Sequence, residues 1–255
     1  MKVKTILVSQ PEPKVENSPY FELQEKQRVK IDFRPFIHVE GVSAKEIRLE
    51  KIDLNNYSAI ILTSRNAVDH FFRVAEEMRF KVPDSMKYFC QSEAVAYYLQ
   101  KYVLYRKRKI YVGKRTFAEL APLIKKHKEE SFLLPATDKL KPEVPEILNE
   151  LGVKWKKSTF YRTVISDLSD LENVIYDVLV FFSPSGIDSL FHNFPNFQQN
   201  ETRIAVFGNT TIKAVEDKGL RVDISAPTPE TPSMTMALDK YIKEVQQSAL
   251  QTDLQ

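Results

Sequence analysis

A single cysteine, six glycines and no long apolar run set the first limits on this chain of 255 residues. With only Cys90 there is no internal disulfide and no thiolate set for a metal, so a reducing cytoplasm is the expected location. The glycines form neither G-x-G-x-x-G nor G-x-x-x-x-G-K-[ST], which removes the dinucleotide fingerprint and the Walker-type phosphate cradle. No apolar run approaches the roughly 18 residues of a membrane span, and no membrane partner is expected. The start, MKVKTILVSQPEP, has too short an apolar stretch for a signal peptide and reads as a first strand.

Histidine is also scarce. His38, His70, His127 and His192 are scattered, none at metal spacing with another ligand, so they read as surface or helix-end groups and neither a metal nor a cofactor is expected. Ser183, Pro184, Ser185 and Gly186 do not make a G-x-S-x-G nucleophile elbow, because no glycine stands two residues before either serine. A net charge of +3 is too small to imply nucleic acid. The charge is nevertheless uneven: Arg106 to Lys109, then Lys125, Lys126 and Lys128, then Lys154, Lys156 and Lys157 form three basic clusters. They are either solvated faces or an anion-attracting surface.

What the chain does contain is a repeat. YDVLVFFSPSGIDSLF, starting at Tyr176, lies over YSAIILTSRNAVDHFF, starting at Tyr57, with Ser183 on Ser64, Asp188 on Asp69 and Phe191 on Phe72. Each copy runs from strand-like apolar sequence through a serine into helical spacing. YFCQSEAVAYYL then lies over AVFGNTTIKAVE, and KIYVGKRTFAELAPLI over the segment that starts RVDISAPTPETPSM. A further unit precedes each copy: TILVSQP, PYFELQEKQR and VKIDFRPFIHVE match SFLLPATD, PEVPEILNELG and VKWKKSTFYRTVIS in order. Strands alternating with helices predict α/β architecture, as two flavodoxin-like parallel-sheet domains. The long charged segments around 30–40 and 153–165 carry Pro35, Lys156 and Lys157, which a fully buried strand would not, and are expected to cross between the domains. Residues 246–255 are expected to fray.

Ser64 and Ser183 both read as helix N-caps. With Thr63, Thr210 and Thr211 they fall at the carboxyl ends of parallel strands, where open α/β sheets place ligands. Helix starts there favour an acidic ligand held by backbone amides and hydroxyls.

The chain resembles the uroporphyrinogen-III synthases from about Ile6 to Ile242. The resemblance is carried by LTSRNAV (62–68), STFYRT (158–163), FFSPSG (181–186), AVFGNTT (205–211) and APTPETPSMTMAL (226–238), in that order. It implies two α/β domains joined by a two-stranded β-ladder, domain one being residues 1–35 with 166–255 and domain two residues 40–158. It also implies a cyclising lyase that closes hydroxymethylbilane to uroporphyrinogen III, inverting ring D and expelling water; a monomer is expected. Tyr161 matches the family's tyrosine near the substrate and is assigned to the departing hydroxyl. Thr63, Ser64 and Asn66, Ser183 to Gly186, and Gly208, Asn209, Thr210 and Thr211 would hold the substrate's eight carboxylates, helped by the basic clusters. The chain departs from the family at Gln10, at Cys90 to Glu93 and at Ala136 to Asp138. The alternative is a non-catalytic member that binds a tetrapyrrole or a protein.

Overall fold

A computed structural model of the chain describes residues 2–252, with side chains through Ser248. The chain opens with β1 (Thr5–Val8), α1 (Pro19–Gln27), β2 (Lys30–Phe33) and β3 (Ile37–Gly41). It continues through α2 (Ala44–Leu49), β4 (Ala59–Leu62), α3 (Arg65–Glu77), β5 (Lys87–Cys90), α4 (Glu93–Leu99), β6 (Ile110–Val112) and α5 (Phe117–Lys125). β7 (Ser131–Thr137), α6 (Glu143–Glu150) and the long β8 (Lys154–Ile165) follow. β9 (Val178–Phe181), α7 (Pro184–Asn193), β10 (Arg203–Phe207), α8 (Asn209–Glu216), β11 (Ile224–Ala226) and α9 (Met234–Thr252) complete it.

Two compact units result. Unit 1 takes the chain up to His38 and again from Val164, and unit 2 is Val39–Thr163. The sheet of unit 1 has the order β11-β10-β9-β1-β2 and is parallel throughout. The other sheet has the order β6-β5-β4-β7-β8-β3. Under the sequence repeat β9, β10 and β11 stand for β4, β5 and β6, and β1 and β2 for β7 and β8. The two orders then agree strand for strand, with β3 the addition.

The central strands are buried because helices cover both sheet faces. AIIL of β4 and VLVF of β9 are buried at every position. Alternate residues feed opposite cores: Ile60 and Leu62 pack with Val68 and Phe71, whereas Ala59 and Ile61 pack with Phe117 and Leu120. In unit 1 Val178 and Val180 pack with Leu238, and Leu179 and Phe181 with Ile187.

The crossing segments are themselves strands. Val42 N–H donates to Phe160 O at 2.9 Å and Ser166 N–H to Phe36 O at 3.0 Å; the paired residue numbers have a constant sum, as antiparallel register requires. The two changes of unit fall within this ladder. Lys156 and Lys157 are ordinary sheet residues, opposite Leu133 and Leu134 of β7, because β8 alternates between exposed and covered positions. Where fraying was expected from residue 246, α9 continues to Thr252; residues 253–255 lie outside the described residues.

Candidate active site

In unit 2 the carboxyl edge of the sheet brings Tyr161 and Ser64 together. Ser64 ends the turn after β4 in extended conformation, and its Oγ accepts from Ala67 N–H at 3.1 Å, capping α3. The Tyr161 hydroxyl lies 3.0 Å from the same Oγ. Tyr161 reaches it because the β7–β8 register slips between Ala136 and Thr137, so that Thr137 faces Tyr161 instead of Phe160. Such an irregularity re-aims a side chain at the end of a ladder. Burial raises the Tyr161 phenol above its ordinary value, against a smaller opposite pull from the Ser64 hydrogen bond. The group is a neutral proton donor at physiological pH.

Two residues that sequence reasoning missed hold this tyrosine. His70, expected at the surface or a helix end, stacks on the Tyr161 ring with centroids 5.1 Å apart and planes 15° from parallel. Arg73 Nε donates to His70 Nδ1 at 3.1 Å, leaving the ring proton on Nε2. Burial and then the Arg73 charge lower the His70 pKa, so the ring is neutral. Arg73 also donates to the carbonyls of Val42, at 2.7 Å, and Phe160, at 3.2 Å, and pairs with Glu77. Gly41 makes room for it, since a Cβ there would lie 2.8 Å from the guanidinium carbon. The signal available in sequence was the spacing of His70, Arg73 and Glu77, three and four residues apart on one helix face.

Thr63 is half-buried between β4 and the Ser64 cap, and Asn66 is exposed in the first turn of α3. Arg65, the first residue of α3, is an exposed cation on the same edge, and so are Lys114 and Arg115 before α5. These cations were also missed, because a lone arginine and a Lys-Arg pair carry no motif.

The unit 1 sites lie at the carboxyl edge of its own sheet. Ser183 precedes α7, Pro184 occupies the first turn, and no side chain caps the start. Gly186 lies against Phe181, where a Cβ would come within 3.2 Å of the ring. Gly208 precedes α8 with φ +87°, a conformation that favours glycine, and again no side chain caps the helix. Asn209 and Thr210 are exposed there. Thr211 is fully buried and its hydroxyl donates to Phe207 O at 3.0 Å, so that group serves the fold.

The basic clusters stand elsewhere. Residues 106–109 precede β6, 125–128 precede β7, and 154–157 begin β8, so all three lie at the amino edge of the unit 2 sheet. None of the three clusters stands at the carboxyl edge with Tyr161 and Ser64. Among the described residues His127, Glu129 and Glu130 bring possible metal-ligand atoms within 4.8 Å of one another, but Lys87 already pairs with Glu130. Cys90 is buried at the end of β5, and burial pushes its thiol up to about 12, which leaves it inert.

A sequence profile described as uroporphyrinogen-III synthase HemD matches residues 19–236. The chain belongs to the uroporphyrinogen-III synthase family. Its similarity extends to the uroporphyrinogen-III synthase of Chlorobaculum parvum, 25% identical over 257 residues that cover 94% of this chain and all of that one. The fold is that of the Helicobacter pylori uroporphyrinogen-III synthetase (TM-score 0.62, 19% identity, 94% of this chain and 99% of that one). It is also that of a mutant uroporphyrinogen III synthase from Thermus thermophilus (TM-score 0.58, 16% identity, 96% and 99%). As a family member the chain is a cyclising lyase of tetrapyrrole biosynthesis, and the non-catalytic alternative is not favoured. No helix among the described residues is long and apolar enough to cross a membrane.

Proposed function

We propose that this synthase closes hydroxymethylbilane with Tyr161 as the donor to the departing hydroxyl. The observation that carries the reading is the Tyr161–Ser64 contact at 3.0 Å, which fixes a buried, neutral phenol at the carboxyl edge of the sheet. Its proton leaves with the ring-A hydroxyl as water, and an azafulvene-like cation remains. The substituted carbon of ring D attacks that cation to give a spirocyclic intermediate. Fragmentation and re-closure invert the ring, and the proton then lost from ring D restores the phenol.

A phenol is a weak acid, so its share in the rate rests on placement. Orientation of the chain ends contributes more, since well-positioned reactants can save roughly 7 to 11 kcal/mol. Substrate carboxylates are held by Thr63, Ser64, Asn66 and the exposed Arg65 in unit 2. In unit 1 they are held by Ser183 to Gly186 and by Gly208, Asn209 and Thr210, with Thr211 as an internal support. Two helix starts without side-chain caps, α7 and α8, support that assignment. The enzyme works as a monomer in the cytoplasm.

Closure without inversion is spontaneous, so the identity of the product is the test. Hydroxymethylbilane is generated in situ and the oxidised products are separated into type I and type III isomers. A type III excess that depends on this chain supports the reading, and type I alone at the uncatalysed rate defeats it.

A further inference from the structure

The amino edge of the unit 2 sheet gathers the basic clusters away from the proposed chemistry. Between α4 and β6 the chain reads LQKYVLYRKRK from Leu99 to Lys109, with Lys101, Arg106, Lys107 and Arg108 exposed. Leu104 is 82% exposed and Tyr105 52%, and Tyr97 on the neighbouring turn of α4 is 78% exposed. Large apolar groups standing in water beside consecutive cations do nothing for the core.

The segment is nevertheless held in place. The Tyr102 ring stacks on Phe72 with centroids 4.4 Å apart, and its hydroxyl donates to Asp69 at 2.6 Å. At the other end Tyr88 N–H donates to Lys109 O at 2.7 Å and the Tyr111 hydroxyl to Arg108 O at 2.9 Å. Val103 packs against the core, and residues 104–108 lie exposed between two fixed ends. The opposing charges are Asp84, 3.8 Å from Arg106, the exposed Glu129 beside His127, and Glu130, which is held by Lys87. Lys125, Lys126, Lys128 and Lys154 extend the same edge.

We propose that this edge docks on an anionic lipid surface, with Leu104 and Tyr105 entering the headgroup layer and Arg106, Lys107 and Arg108 facing lipid phosphates and carboxylates. Cations flanking an aliphatic and an aromatic side chain suit that interface. A single-stranded nucleic acid would need a row of open aromatic faces. Here Lys101 covers the Tyr98 ring at 4.1 Å, Tyr102 is stacked on Phe72, and a leucine occupies the tip. The docking is peripheral and modifies the expectation of no membrane partner. It leaves the opposite, carboxyl edge of the same sheet open to substrate.

The test is sedimentation of the full chain with phosphatidylcholine vesicles made with and without phosphatidylserine, at low and high salt. The expected result is binding that requires phosphatidylserine and falls with salt. Each cation near such a surface contributes about a fivefold factor, so the Arg106→Gln/Arg108→Gln pair is expected to bind on the order of 25-fold more weakly. Leu104→Ser is expected to weaken binding several-fold with its salt dependence kept. Both variants should unfold at the parent temperature and form the parent's tetrapyrrole product. No sedimentation at low salt, or sedimentation unchanged in both variants, overturns the proposal. Tighter binding of a single-stranded oligonucleotide through the same residues overturns it too.

Discussion

The Tyr161 hydroxyl lies 3.0 Å from Ser64 Oγ, and the same Oγ accepts from Ala67 N–H at 3.1 Å. One serine thus ties the buried phenol of β8 to the start of α3. The arrangement makes the placement of a weak acid depend on a helix cap.

Ser64→Ala removes both contacts. The lost cap is expected to lower unfolding free energy by about 1 kcal/mol, read by urea denaturation. Turnover should also fall, but by less than in Tyr161→Phe, because the phenol remains. In the double variant the rate losses should not add, since the two residues share one contact.

The neutral state of His70 gives a pH dependence of known sign. Its folded pKa lies below its ordinary value, from burial and then from Arg73, so the unfolded chain takes up the proton first as pH falls. The His70 contribution to stability is therefore full above about 6.5 and declines below it. His70→Gln keeps an acceptor for Arg73 without titrating. Stability against pH, wild type compared with variant, should diverge below pH of about 6.5 and run parallel above it.

Gly208 holds φ at +87° where β10 turns into α8. Gly208→Ala is expected to cost about 1–3 kcal/mol, since a side chain strains that backbone. KM should rise as well, because the proposed carboxylate site is formed by the residues after it.

The repeat was legible because strand cores and strand-to-helix junctions write themselves locally: Ser64 and Ser183 mark the same junction in both copies, although only the Ser64 side chain caps its helix, and the two sheets share one order over five strands. Lys156 and Lys157 argued against a fully buried strand, and β8 agrees, with Lys156 exposed and Lys157 half-buried on opposite faces. The support of Tyr161 was not legible. His70 meets it only through a register slip at Thr137, and Arg73 is recognisable only once it reaches the carbonyls of Val42 and Phe160. The charge clusters misled for a related reason: a basic run announces an anion but not the end of the sheet on which it stands.

The most direct test of the account is Tyr161→Phe, which keeps the ring on His70 and removes only the hydroxyl. With hydroxymethylbilane generated in situ, kcat for the type III product should fall on the order of 10²-fold while KM stays nearly constant, the signature of an interaction made in the transition state. An unchanged kcat, or a loss confined to KM, would contradict the role given to Tyr161.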